Sequence, residues 1–328
     1  MPSGACASQY NGVRIQAETW GEELKRKGHT LSYINPWEKY DWGSFDALHI
    51  FGHGTETVGL ARELYARNPR VVCSPIIDTE NSVKAYTFAS RLGIDRLRLG
   101  TTNYNMWKGR SYFMRWYARS MFEYEYIKSA YSVEKEKIDV IPLSYRMEPG
   151  EAGTPKEQFC FHVSKLTDER KNVKRLMEAA VKYQFHLVLA GSYSNDLEFS
   201  PFKKMIDEHQ NITYLGRVSD EELKALYQRA KVFALPSTNE GVGLVALEAA
   251  VCGCNIVITN IGGPKEYYGN HAFLVNPYDV DEIGVAVKRA LVDTEQQPDL
   301  KNIIMDNYNL SHCVDMLVDS YQKLTVNI

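Results

Sequence analysis

The chain has 328 residues, 44% hydrophobic and 24% charged, with a formal net charge of −3 at pH 7. That length suits two domains with a sizeable core, the composition is that of a globular protein, and the slight acidity excludes a global attraction to nucleic acid. No apolar run reaches transmembrane length and no signal peptide is recognised, so a cytoplasmic protein is expected. Cys6, Cys73, Cys160, Cys252, Cys254 and Cys313 fall mostly in apolar patterns and read as reduced core thiols, and Cys252-x-Cys254 lacks metal spacing. The twenty-one tyrosines hint at surfaces that contact sugars or a membrane interface.

In chain order, residues 1–12, MPSGACASQYNG, contain no strand and read as the loop after one. Residues 13–27 follow as an amphipathic helix stopped at Gly28, then strands at 31–34, 45–51 and 70–73 alternate with a helix at 60–67. This is βαβ alternation, hence a parallel sheet. A doubly wound domain places its first strand in mid-sheet. Either Met1 is an internal methionine with the true start upstream, which is the preferred reading, or another segment fills the slot. The expectation is a gap or a substitute at the centre of this sheet, with Gly12 at its carboxyl edge facing Glu240. Residues 84–119 carry eight basic side chains (Lys84, Arg91, Arg96, Arg98, Lys108, Arg110, Arg115, Arg119) against Asp95, interleaved with aromatics. That pattern can mean nucleic acid, an anionic membrane surface, an anionic acceptor, or a solvated helix face with aromatic core contacts. A helix at 121–131 and a strand at 138–142 precede the turn-rich linker 144–155.

The second half repeats the alternation. Strands are expected at 159–163, 185–190, 212–215, 232–235 and 256–258. Helices are expected at 172–183, 219–230, from 242, at 279–291 and at 311–324, with a capping box from Ser219 to Glu222. Residues 232–266 form strand, glycine loop, helix, strand, glycine loop. Such a unit sets free backbone N–H groups and a helix N-terminus at the carboxyl edge of a parallel sheet, an anion site suited to phosphate. Glu240 lies just before the helix and Glu248 just over two turns later. Carboxylates there accept hydrogen bonds from sugar and ribose hydroxyls.

Glu240-Gly241-Val242-Gly243-Leu244, then Glu248-Ala249, with Gly262-Gly263 and Glu266 downstream, resembles the Glu-x7-Glu signature of family 4 retaining glycosyltransferases. The usual Phe is Val242 here. The resemblance implies an α/β GT-B fold, two Rossmann-like parallel-sheet domains facing a central cleft. Residues 1–148 would be the acceptor-side domain, 149–307 the nucleotide-sugar-binding domain, and 308–328 a C-terminal helix packing back towards the first. By the same resemblance Lys165 takes the place of the family's Arg and Lys171 that of its Lys, facing a diphosphate with Ser164 and Gly191. Gly216, Arg217 and Val218 take the place of the loop that holds the base. Gly241, Val242, Gly243 and Leu244 offer amides to the diphosphate, Glu240 holds the sugar's hydroxyls and Glu248 the ribose.

The implied activity is retaining transfer of a hexose from a nucleotide-diphosphate sugar to a glycan, lipid-linked or other hydroxyl acceptor, in cell-surface polysaccharide or glycolipid synthesis. Contact with the inner face of the cell membrane is part of that expectation. No cofactor and no metal are expected, because Asp279-Val280-Asp281 opens a helix as a cap instead of ending a strand. A helix terminus and cations take the metal's place. On the acceptor side the His common in the family is absent. His53, in a Gly-His-Gly loop, stands as a substitute or as a plain turn residue, with Gly12 and Asp78 beside it. The alternative left open is a catalytically silent GT-B module that binds a nucleotide sugar as a scaffold.

Overall fold

The computed structural model describes residues 11–94, 99–151, 154–292, 297 and 299–324. The chain divides into two compact units, Met1–Leu143 with Leu310–Ile328, and Ser144–Asn309. Each is a parallel α/β sheet unit with its own core.

The first unit holds four parallel strands in chain order: β1 (Leu48–Phe51), β2 (Val71–Ser74), β3 (Arg115–Ala118) and β4 (Ile138–Val140). These four strands are contiguous, with β1 at one edge, and Gly93–Ile94 pairs separately with Leu99–Gly100. Residues 1–10, on which the expected gap or substitute rests, lie outside the described residues. The expected strand at 31–34 is not one: Tyr33 and Ile34 are about half exposed, and the segment pairs with no strand among the described residues. The Gly12–Arg26 helix is capped by Asn11, whose Oδ1 accepts from Val13 N–H at 2.9 Å. The Leu310–Gln322 helix belongs to this unit. Tyr321 OH meets His49 Nδ1 at 2.7 Å, and Ser320 Oγ donates to Asp139 Oδ2 at 2.5 Å.

The basic and aromatic segment does not present its rings as one surface. Tyr104, Phe113, Trp116 and Tyr117 are buried, Phe113 and Trp116 in the core of this unit. Arg119 is buried against Glu123 and Asp78, and Arg115 pairs with Asp139 at 2.6 Å. Burying large rings outweighs exposing them in a small sheet unit, and the arginines then bind the carboxylates nearest their strand ends. Tyr86, Tyr126, Tyr131, Tyr227, Tyr267 and Tyr268 are interior as well, while Tyr33, Tyr65, Tyr193 and Tyr278 are exposed.

The second unit holds six parallel strands: β5 (Glu157–Val163), β6 (Leu187–Ala190), β7 (Ile212–Tyr214), β8 (Ala230–Leu235), β9 (Asn255–Thr259) and β10 (Phe273–Val275). Their order is β10-β9-β8-β5-β6-β7. Leu187–Ala190 and the last four residues of both β8 and β9 are buried throughout, as strands covered on both faces must be. Val173, Leu176, Met177 and Ala180 give the Val173–Tyr183 helix an apolar stripe at helical spacing that joins this core. The chain builds outward from β5 to β7, then returns to start β8 on the other side of β5. That reversal is a topological switch point, where the loops leaving β5 and β8 diverge and open a crevice at their carboxyl ends. Among the described residues, three helices absent from the sequence reading complete the unit, the short Pro264–Tyr268 helix and two others. Asp196–Glu208 has its apolar pattern interrupted by Pro201, and Leu300–Asn307 is only eight residues long.

Candidate functional site

The switch-point loops carry most of the residues singled out on the donor side. The loop after β5 presents Ser164, Lys165 and, farther on, Lys171; the loop after β8 presents Glu240. Lys171 Nζ lies 2.9 Å from Glu240 Oε2, an ion pair only 17% and 10% exposed at its two side chains. Backbone and amide bonds tie the same loops: Thr238 N–H donates to Arg170 O at 2.8 Å, and Asn172 Nδ2 donates to Pro236 O at 2.8 Å and to Pro277 O at 2.7 Å. Glu240 itself is fixed by the loop after β9, since Gly263 N–H donates to its carbonyl at 3.1 Å. Gly262 makes this approach with φ +97°, and a Cβ there would stand 2.0 Å from that carbonyl oxygen. Only glycine fits such a crossing.

The next loops outward close on one another. Gly191, with φ +122°, sits so close to Ser164 that a Cβ would meet its carbonyl oxygen at 1.8 Å, and Gly191 N–H donates to Gly216 O at 2.8 Å. Ser164, Gly191 and Gly216 therefore stand in a row at the ends of β5, β6 and β7. Arg217 is exposed and Val218 half-buried beside them. Lys165 is exposed and acts electrostatically on Glu198, so it does not join the Lys171–Glu240 pair. After β8, Gly241, Val242 and Gly243 are buried, and Gly243, at φ +81°, turns the chain into the Leu244–Val251 helix. Val242 is 2% exposed, so the apolar side chain at that place faces inward. The first amides of that helix lack partners one turn back and carry the positive end of its dipole.

Glu248, on the inner side of this helix, is fully buried. Arg146 Nε donates to its Oε1 at 2.6 Å, while Oε2 is buried with no hydrogen-bond partner among the described residues. Burial raises the Glu248 pKa above the ordinary carboxylate range, and the Arg146 charge opposes the rise. Sequence reasoning found Glu248 but missed Arg146, which lies in a segment whose only visible signal was its turn formers. It also missed His162. That ring is buried in β5, with Nδ1 donating to Ala234 O at 2.7 Å and Nε2 receiving the Ser164 hydroxyl at 2.7 Å. Burial pulls its pKa down to about 4, which keeps it neutral and fixes that tautomer.

The acceptor-side candidates lie in the other unit, His53 and Asp78 past the carboxyl ends of two of its strands. His53 follows β1, and its Nδ1 donates to Pro75 O at 3.0 Å, so that bond does not engage Nε2. Asp78, after β2, receives Arg119 Nη2 at 2.9 Å. Gly12 is the first residue of its helix. Asp279 caps the Val280–Val292 helix, its Oδ1 accepting from Asp281 and Glu282 N–H at 2.8 and 3.0 Å. No group of three or more His, Cys, Asp or Glu side chains suited to a metal occurs among the described residues. No described helix is long and apolar enough to cross a membrane. Cys73, Cys160, Cys252, Cys254 and Cys313 are buried free thiols.

Sheet order and site together define a GT-B glycosyltransferase fold, and the comparisons with known proteins agree. Residues 148–305, almost all of the second unit, match the family glycosyl transferases group 1. O-antigen chain mannosyltransferase B of Escherichia coli is 33% identical over 134 residues, 38% of this chain and 35% of its own length. Sulfoquinovosyl transferase SQD2 of Arabidopsis thaliana is 28% identical over 150 residues, 44% of this chain and 28% of its own. The chain thus spans about a third of the length of these curated relatives. Sucrose-phosphate synthase from Thermosynechococcus elongatus has a similar structure, with a TM-score of 0.70 at 17% identity, covering 87% of this chain and 75% of that one. Anabaena HepE, solved with UDP and glucose, gives 0.65 at 16% identity, covering 84% and 78%.

Proposed function

We propose that the protein is a retaining glycosyltransferase that moves a hexose from a nucleotide-diphosphate sugar to a hydroxyl of a glycan or lipid-linked acceptor in polysaccharide or glycolipid synthesis. The observation that carries this reading is the switch point itself. It sets a buried lysine–glutamate pair, a helix N-terminus and a second buried glutamate with an open oxygen around one sheet edge. The mannosyltransferase and sulfoquinovosyl transferase relatives, and the UDP-bound structure of similar fold, support the substrate class.

The chemistry follows from charge. When the bond from anomeric carbon to phosphate breaks, negative charge grows on the departing diphosphate. Lys171 and the first amides of the Leu244–Val251 helix neutralise it without reorganising, with Lys165 as a mobile cation at the rim. Lys171 moves its bond from Glu240 to the phosphate, which frees Glu240 to accept hydrogen bonds from the sugar's hydroxyls. Glu248 accepts from the ribose. These cations do the work a metal does elsewhere, so the reaction runs without one. In the first unit His53 Nε2 and Asp78 receive the acceptor's hydroxyls, and the leaving phosphate helps take up the acceptor's proton.

The test is incubation with UDP-glucose, GDP-mannose and ADP-glucose, following nucleoside diphosphate release with EDTA present and the anomeric configuration of the product by proton NMR. Turnover of one donor with retained configuration, undiminished by EDTA, is expected. Binding without any turnover would instead favour a silent nucleotide-sugar module, and strict metal dependence or inverted product would overturn the mechanism.

A further inference from the structure

The proposed function gives Glu248 a ligand but not a reason for its geometry. An arginine and a carboxylate left to themselves close two parallel bonds. Here Arg146 engages Glu248 through Nε and Oε1 alone at 2.6 Å, and Oε2 remains buried without a partner. Buried acceptors in native proteins are satisfied, so an orphan beside a ligand site marks the place of an absent donor. Resting on the function proposed above, we propose that Arg146 is a positioning residue, which turns Glu248 edge-on so that Oε2 alone receives a hydroxyl of the bound nucleotide sugar.

The segment that carries Arg146 is built to hold this position. Gly150 N–H donates to Val251 O at 3.1 Å, on the same helix as Glu248, and Lys301 Nζ donates to Gly150 O at 2.5 Å. Lys156 Nζ donates to Cys252 O at 2.7 Å and to Tyr227 O at 3.0 Å. The segment is therefore stitched to the helix end, and Arg146, with its side chain 30% exposed, reaches inward from it. The other groups that feel or act on Glu248 are Asp220 and Tyr227 from the Asp220–Arg229 helix, Cys252 from the end of its own helix, and Tyr268 from the Pro264–Tyr268 helix. Asp220 and burial favour the protonated acid. Among these groups Arg146 is the cation that opposes them. Tyr227 OH is another buried orphan among the described residues; burial raises its pKa well above the usual value, and the Glu248 charge adds to the rise.

The role predicts a pH-dependent defect, which lost packing alone does not give. Calorimetric titration with UDP-glucose and GDP-mannose between pH 5.5 and 8.5 reads it. Wild type should bind its preferred sugar with level affinity. Arg146→Met should bind about tenfold more weakly at pH 6 and recover as pH rises, because only the ionised carboxylate is a full acceptor and the variant takes up a proton more readily. Arg146→Lys should restore the level profile. Affinity in Arg146→Met that equals wild type throughout, or falls by one factor at every pH, overturns the role. A carbon-13 titration of the Glu248 carboxyl, assigned by its loss in Glu248→Gln, needs no ligand. Its midpoint should move up in Arg146→Met, and an unmoved midpoint overturns the inference. Should wild type bind neither sugar, the proposed function fails, and the carboxyl titration still decides whether Arg146 governs Glu248.

Discussion

Two buried glutamates sit in comparable places in the two units, and they are satisfied in opposite ways. Glu123, 1% exposed in the first unit, receives Ile77 N–H at 2.5 Å and Arg119 N–H at 2.7 Å, besides Arg119 Nε and Nη2 at 3.0 and 3.2 Å. Every lone pair it offers is used inside the fold. Glu248, fully buried in the second unit, has one bond to Arg146 and one empty oxygen. The difference separates a carboxylate that holds a structure together from one that waits for a ligand. Burial and a partner arginine are common to both, so neither feature alone identifies a site. The count of unused acceptors does.

Removing the satisfied glutamate should produce the largest effect. Glu123→Ala removes the carboxylate that holds Nε of the buried Arg119, leaving it Asp78, and frees the Ile77 N–H, and it should lower stability by about 3 kcal/mol in urea denaturation. A loss under about 1 kcal/mol would erase the distinction, since Glu123 would then be no more structural than Glu248. Next in size is the response to acid. His49 in the first unit and His162 in the second are buried neutral, with pKa values pulled down to about 3 and about 4. Below the unfolded value of about 6.5, the unfolded chain takes up protons that the folded units refuse, so stability falls as pH drops. The slope should approach about 1.4 kcal/mol per pH unit for each histidine between pH 6 and 5. Urea midpoints that stay level from pH 7 to 5 would contradict this, and His162→Gln should flatten the response of the second unit alone. The smallest effect sharpens the site. Gly262→Ala forces a Cβ against the Glu240 carbonyl at a positive φ, and should cost about 1 kcal/mol or more of stability in the second unit. It should also displace Glu240 and weaken donor binding, and unchanged binding would show that the crossing does not position Glu240.

How far the sequence foretold all this differs by region for physical reasons. In the second unit local signals agree with tertiary ones. Apolar runs such as 232–235 and 256–258 became buried parallel strands, and Ser219 and Glu222 made the expected capping box. What escaped were contacts of side chains whose partners are remote in sequence. Arg146 meets Glu248 across about a hundred positions, and His162 hides in an apolar strand. In the first unit the basic and aromatic run misled, because rings at strand ends turned inward and Arg115 and Arg119 found carboxylates that sequence spacing does not reveal. The strand expected at 31–34 had apolar residues but no neighbour among the described strands, and propensity without a partner does not make a strand.

The central claim is that the carboxyl edge of the second sheet holds a nucleotide-diphosphate sugar through Lys171 and Glu248. Calorimetry of the preferred sugar with wild type, Lys171→Ala, Glu248→Ala and Glu123→Gln tests it most directly. The account predicts that the first two variants each lose about 1.5–3 kcal/mol of binding free energy, the scale of a charge-assisted hydrogen bond, while Glu123→Gln, if folded, binds as wild type does. Undiminished affinity in both Lys171→Ala and Glu248→Ala would contradict it.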